Sequence, residues 1–239
     1  MRRKKRSTLQ PARFRTEEAL VKCFLRCVAK RPISAHLVGR EFETTNGVAD
    51  IIQLRLNRGW QKASDLGGID PQWAFALRSL PYKKVFKTED FEKLCRTTKG
   101  TATKVLRRYA DLKFCIRTRK GDWMKVRQPR AVVGEISTIE AKLSNWRRAL
   151  AQAYRHQTFA ARSWVLLDAA RAGGALKNIE KFKRLNVGLI VLSKGNQPQR
   201  KLVPSKRKPK SQLHFWNANS ALARRLRLKV GGVVTIKNV

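Results

Sequence analysis

Glu140-Ala141-Lys142 is the tripeptide in this sequence best equipped for chemistry. Glu140 closes an apolar, strand-like run, Ala131-Val132-Val133-Gly134-Glu135-Ile136-Ser137-Thr138-Ile139, and Lys142 follows two positions on. Side chains two apart on a strand share one face, so a carboxylate and an ammonium would stand side by side. A second acid, Asp50, lies in Gly47-Val48-Ala49-Asp50-Ile51. Asp50, Glu140 and the Ala141 carbonyl together offer the oxygen donors that Mg²⁺ prefers. Lys142 beside them would orient a water or stabilise charge growing on a phosphoryl group. A phosphodiester repels hydroxide, so a bound cation that neutralises it and sharpens a water suits its hydrolysis.

Acids are scarce here, which gives these two weight. The 239 residues carry 54 Lys+Arg against 16 Asp+Glu, a formal net charge of +38. So basic a chain binds polyanions, and phosphate backbones are the usual ones. An apolar content of 42% provides for a core and excludes a disordered basic tail. Cys23, Cys27, Cys95 and Cys115 show no Cys-x-x-Cys spacing, and His36, His156 and His214 are scattered, so neither a zinc site nor a disulfide scaffold is expected. Cys23 and Cys27 read as small buried residues on a helix. No apolar run approaches a membrane span, and the basic start lacks a proper apolar signal segment behind it. The expectation is a cytoplasmic, nucleoid-associated protein with no membrane partner.

The elements that must position these residues can be traced along the chain. Residues 16–30 read as a helix capped by Thr16, with Glu17 and Glu18 at its positive end. Strand-like runs at 38–44 and 48–56 flank Asn46-Gly47, a strong hairpin signal, and put Asp50 near the start of the second strand. Between 72 and 128 the character changes. Thr88 can cap a short helix over 89–95, and a polar turn at 96–100 leads to a basic helix through Lys104 and Tyr109. Two strand-like pieces, 114–117 and 123–126, then meet at a Lys120-Gly121-Asp122 turn. Helix, turn, basic helix and hairpin in that order describe a winged helix-turn-helix. After Lys142, Ser144 or Asn145 caps an amphipathic helix whose Trp146, Ala149, Leu150, Ala153 and Tyr154 recur at helical spacing. A strand at 163–167, a basic helix at about 175–184 and a strand at 187–192 follow. Asp168 closes its strand and reads as a cap. Residues 198–210 read as an exposed basic linker, and a last helix is expected at 221–228. The result is a mixed α/β sheet covered by helices.

A hairpin bearing Asp, a strand bearing Glu-x-Lys, and a following helix and strand resemble the PD-(D/E)XK, or restriction-endonuclease-like, nucleases. The resemblance rests on Gly47-Val48-Ala49-Asp50-Ile51, on Ile139-Glu140-Ala141-Lys142-Leu143, and on the helix from Trp146-Arg147-Arg148 to Tyr154. Two departures stand out. Ala49, not Pro, precedes Asp50, and the run from Asp50 to Glu140 is far longer than a direct connection. An inserted winged helix would account for the length. The resemblance implies Asp50, Glu140, Lys142 and Gln152 as catalytic residues. It implies Mg²⁺, replaceable by Mn²⁺, on Asp50, Glu140 and the Ala141 carbonyl, with Glu17 or Glu18 adding a carboxylate. Glu41 and Glu43 alternate on the first hairpin strand and could approach the same site.

The organisation expected is a basic arm at 1–15, a split nuclease-like core at 16–70 and 129–195, an insert at 71–128, and a basic extension at 196–239. Lys99, Lys104, Arg107 and Arg108 on the basic helix, with Arg117, Arg119 and Lys120 in the wing, would meet DNA. Contacts of that kind position a protein without reading sequence. The reading that joins these parts is a metal-dependent endodeoxyribonuclease whose partner is duplex DNA rather than single strands. Structural ion pairs could also explain the acids. A non-catalytic nucleic-acid binder, or a nuclease subunit active only within a transposition or defence complex, therefore stays open, and so does a homodimer or protein complex as partner.

Overall fold

A computed structural model describes residues 13–29, 36–44 and 47–227. In chain order its elements begin with helix α1 (Glu17–Ala29) and strands β1 (His36–Thr44) and β2 (Gly47–Leu56). A 3₁₀ segment (Trp60–Gly68) leads to α2 (Pro71–Ser79), β3 (Val85–Phe86), α3 (Thr88–Cys95), α4 (Lys99–Asp111), β4 (Cys115–Arg117) and β5 (Trp123–Lys125). Then come β6 (Val133–Lys142), α5 (Trp146–His156), β7 (Arg162–Asp168), α6 (Gly173–Lys177), α7 (Ile179–Arg184), β8 (Val187–Leu192), β9 (Gln199–Leu202) and α8 (Gln212–Arg227). The described residues fall into two compact units. The first holds those up to Gln53 and Ile136–Lys208, the second Leu54–Glu135 and those from Pro209 onward.

The first unit is built on a six-stranded sheet in the order β1-β2-β6-β7-β8-β9. β6, β7 and β8 run parallel, with Glu140 opposite Val165 and Lys142 opposite Leu167, while β9 joins β8 antiparallel. Strands buried on both faces read as continuous apolar runs, and every residue of β8 is buried. One face packs on α1 through Leu20, Phe24, Ile51, Ile139 and Leu166. The other packs on α5, α6 and α7 through Trp146, Leu150, Val165, Phe182 and Leu189. A fully buried aliphatic side chain contributes about 1.5–3 kcal/mol, so these two layers hold the sheet rigid under the candidate site.

Several local expectations are met. The Thr16 hydroxyl accepts the Ala19 amide at 3.1 Å, Asn145 rather than Ser144 accepts that of Arg148 at 3.1 Å, and Asp168 accepts that of Ala170 at 3.1 Å. Asp168 is fully buried and also accepts the Phe14 amide at 3.2 Å. Phe14 is itself core, so the expected arm to residue 15 ends earlier; its residues 1–12 lie outside the described ones, as does Asn46 of the expected turn.

Others are corrected. The basic helix expected at 175–184 is two short helices, broken at Asn178, whose amide donates to the Gly174 carbonyl at 2.9 Å. Residues 199–202, expected in a linker, form β9, because β8 would otherwise present an apolar edge with unpaired backbone groups. The last helix starts at Gln212, well before the expected 221, and Leu228 is outside the described residues. Cys23 and Cys27 are half-buried, and the four cysteines are free.

The second unit pairs a small sheet, ordered β3-β5-β4, with α2, α3 and α4. Thr98 caps α4 by accepting the Thr101 amide at 3.4 Å, so the helix begins at Lys99, inside the expected turn. Thr88 does not cap α3 but is its first residue. Its hydroxyl instead accepts the Trp123 indole N–H at 3.1 Å, and Asp90 reaches back to the Lys87 amide at 2.8 Å. Gly121 turns the β4–β5 hairpin at φ 84°, where a side chain would be strained. α8 packs on α2 and on the 3₁₀ segment. It comes so close that a Cβ on Gly67 would lie 2.6 Å from the Arg224 backbone nitrogen. Ser220 donates to the Ile69 carbonyl at 2.7 Å, and Asn219 accepts the Val133 amide at 2.9 Å. The second unit thus reaches beyond 71–128 and includes the C-terminal helix.

Candidate active site

Alternation along β2 and β6 sets the site. Ile51, Ile139 and Ala141 face α1, so Asp50, Glu140 and Lys142, at alternate positions, leave the α1 core. The Ala141 amide donates to Asp50 Oδ2 at 2.7 Å, which ties the β2 carboxylate to the backbone of β6. Lys142 is the hub. Its Nζ lies 3.2 Å from Glu140 Oε1, 3.8 Å from Asp50 Oδ2 and 3.2 Å from Glu17 Oε2, and it donates to the Ala141 carbonyl at 3.0 Å. One ammonium thereby gathers three carboxylates and the carbonyl, from α1, β2 and β6.

The electrostatics are uneven. Glu140 is 1% exposed, and its second oxygen, Oε2, is buried with no hydrogen-bond partner. Burial, reinforced by the charge of Asp50, pushes its pKa up to about 7 even though Lys142 opposes the shift. Asp50 is raised too, by burial above all, against the pull of the Ala141 amide and Lys142. Burial works to lower Lys142, but Asp50, Glu140 and Glu17 together hold its ammonium above the usual range. The cluster therefore carries more negative charge than its single cation comfortably neutralises.

Of the residues expected at the site, Asp50, Glu140, Ala141, Lys142 and Glu17 come together. Glu18 does not: it pairs with Arg40 and, at 3.2 Å, with Lys22, and these contacts hold its carboxyl below the usual range. Gln152 makes no hydrogen bond to the trio; its Oε1 is buried without a partner. His156, one turn along the same helix, also has a buried, unpartnered Nδ1, and burial pushes it down to about 4, so it is neutral near pH 7. Glu41 and Glu43 are exposed, and Glu41 is near enough for its charge to raise Asp50. Among the described residues no three His, Cys, Asp or Glu side chains are grouped as a ready metal cage.

In the second unit, α4 borders a groove of about 950 Å³ lined by Lys99, Lys104, Arg107, Arg108 and Arg224. Lys99 pairs with Glu89 at 3.4 Å, and Arg108 donates to the Gly68 carbonyl at 2.9 Å. Arg117 donates to the Gly121 carbonyl at 3.2 Å and lies over the Trp123 ring. Lys104, Arg107, Arg119 and Lys120 are exposed, with no carboxylate partner among the described residues.

Sequence reasoning missed α2, although Asp70-Pro71 is a readable helix start: the proline fits the first turn, where its missing N–H costs nothing. No family model, no curated protein and no solved structure matches the chain. Among the described residues, no helix is long and apolar enough to cross a membrane.

Proposed function

We propose that the chain is a divalent-metal-dependent endodeoxyribonuclease of PD-(D/E)XK type carrying a winged-helix DNA-binding unit. The observation that carries this reading is Glu140. A carboxylate with one buried, unpartnered oxygen, beside a second carboxylate and a lysine, is costly unless something positive is to be bound there. The donor set is all oxygen and suits Mg²⁺ or Mn²⁺: Asp50, Glu140 and the Ala141 carbonyl would hold the ion. When bound, such an ion neutralises a phosphodiester and acidifies a water.

The chain's own residues supply the rest. The Ala141 amide fixes Asp50 so that one strand's carboxylate is aimed by its neighbour's backbone. Lys142, freed from part of its carboxylate company by a bound cation, would turn its N–H groups to the attacking water or to the phosphoryl oxygens, where charge grows in the transition state. Glu17 would keep that ammonium in place from α1. In the second unit, the order helix, strand, helix, helix, strand, strand supports a winged helix, with α4 as the helix offered to duplex DNA. Its exposed Lys104 and Arg107 suit phosphate contacts, which give affinity without sequence choice.

The test is cleavage of supercoiled plasmid by the full chain with Mg²⁺ or Mn²⁺. Wild type should nick it, and Glu140→Ala and Lys142→Ala should each lower the rate by about a thousandfold, the scale of losing a preorganised charge stabiliser. Metal-dependent cutting that survives both substitutions would remove the site from this reading.

A further inference from the structure

The second unit has another hollow, made of residues other than those of α4. It holds about 500 Å³ and is lined by Trp60, Trp216, Arg58, Arg78 and Arg130, with no acidic residue in its wall. Of its two indoles, Trp216 is 7% exposed and Trp60 is half-buried. The Arg78 guanidinium stands 6.0 Å from the centre of the Trp216 ring and also reaches Gln128 Oε1 at 3.5 Å. Arg58 and Arg130 are exposed, and neither has a carboxylate partner among the described residues. The Asn57 amide donates to the Ala131 carbonyl at 2.7 Å, which stiffens one wall. Past Gln128 and Arg130 the surface continues into a smaller hollow of about 390 Å³ that includes Lys62 and Tyr82. The acid there, Asp65, is paired with Arg127 at 2.8 Å.

A half-buried indole beside uncompensated guanidinium groups matches one ligand chemistry closely. An unpaired nucleotide offers a flat base to stack and phosphates for the arginines. A base inside a duplex has both faces covered by its neighbours, and an acidic peptide would leave the indole unused. We propose that this hollow holds an unpaired nucleotide of a DNA strand, its base against Trp60 and its flanking phosphates on Arg58 and Arg130. The chain would then distinguish DNA with a single-stranded tail or gap from a continuous duplex. This rests on DNA binding by the second unit and not on cleavage by the first.

The experiment titrates the full wild-type chain, in EDTA so that no DNA is cut, with two fluorescent hairpins. One is blunt; the other carries a six-nucleotide tail containing 2-aminopurine. The tailed hairpin should bind about tenfold more tightly, a modest value for stacking one base, and its 2-aminopurine should be quenched. Trp60→Ala should abolish the quenching and most of the tenfold gain while leaving blunt-hairpin binding as it was. The exposed pair Arg58→Ala and Arg130→Ala should remove most of the gain in the same way, and decides the matter if Trp60→Ala does not fold. Lys104→Ala with Arg107→Ala should weaken both hairpins equally and keep the quenching. Equal binding of the two hairpins by wild type, an unquenched probe, a gain that persists in the arginine pair, or displacement of the tail by polyglutamate as readily as by DNA would each overturn the proposal. A chain that never cuts DNA would leave every one of these results readable.

Discussion

Glu140 in the first unit and Lys125 in the second are both buried side chains that can carry charge, and the two are handled in opposite ways. Glu140 in the first unit is pushed up to about 7 and Lys125 in the second is pushed down to about 8, both chiefly by burial. Lys125, though fully buried, donates to the carbonyls of Leu77 and Arg78, each at 3.2 Å, at the C-terminal end of α2. Those carbonyls have no partner within the helix and carry its negative end, so a cation there completes the fold. Glu140 has a lysine neighbour and still keeps a buried oxygen with nothing to accept from. A buried charge whose hydrogen bonds are met serves the structure. One left incomplete points to a ligand.

The sharpest way to break this comparison is Glu140→Gln, because activity and stability should move in opposite directions. Cleavage should fall by about a thousandfold. Stability should rise at neutral and alkaline pH. The folded state holds the Glu140 proton more tightly than the unfolded chain, from an ordinary 4.5 to about 7. Its cost is therefore absent below pH 4.5, grows as the pH rises, and is complete above about 7. At full extent it is on the order of 3 kcal/mol, at 1.36 per unit. Urea unfolding of wild type and Glu140→Gln at pH 4 and pH 8 measures it: the variants should coincide at the lower pH and separate at the higher. A Glu140→Gln protein less stable than wild type at pH 8 would mean that the carboxylate is structural, like Lys125. Mg²⁺ should stabilise wild type more at pH 8 than at pH 6, since ligands must shed protons to bind it.

The candidate site was more legible in the sequence than the unit inserted between its halves. Asp50 and Glu-x-Lys sit on strands whose apolar runs declare themselves, and period-two alternation alone puts Glu140 and Lys142 together. The choice between Glu17 and Glu18 was not legible, because both lie in the first turn of α1 and Arg40, which with Lys22 holds Glu18, comes from β1. β9 was hidden for a similar reason. Gln199-Arg200-Lys201-Leu202 has little strand character, and its pairing is dictated by the open edge of β8 rather than by its own residues. The Trp60 hollow combines Arg58, Arg78 and Arg130 with Trp216 from the far end of the chain, so no local spacing could announce it.

Exposed charge in the second unit offers a middle-sized test. Removing Lys104 and Arg107 together should weaken duplex binding and flatten its salt dependence. Each lost phosphate contact lowers the slope of log K against log salt by about 0.9, so the pair should change it by nearly 2. Fluorescence titrations from 50 to 200 mM salt read this directly. An unchanged slope would place the duplex elsewhere than on α4. Glu140→Gln measured alongside should show little change in slope, because the proposed function gives Glu140 a part in the chemistry and none in the docking.

Lys125→Met is the smallest expected effect, and it sharpens the comparison through its pH dependence. Methionine keeps the packing of the stem but leaves the Leu77 and Arg78 carbonyls without their donor, a loss of about 1–3 kcal/mol. Against this, the variant no longer buries an ammonium. The depressed pKa of Lys125 puts that cost at a similar size, on the order of 3 kcal/mol at 1.36 per unit. The two nearly cancel at pH 7, where the variant should differ little from wild type. The cost to wild type is present below about pH 8 and is relieved as the pH rises from there towards 10.5, while the neutral amine still donates to the helix. Lys125→Met should therefore become the less stable protein only in that alkaline window, opposite in sign and position to Glu140→Gln. Nicking of plasmid at pH 8 should be unaffected. If Lys125→Met abolished cleavage without loss of stability, the second unit's buried charge would belong to function after all.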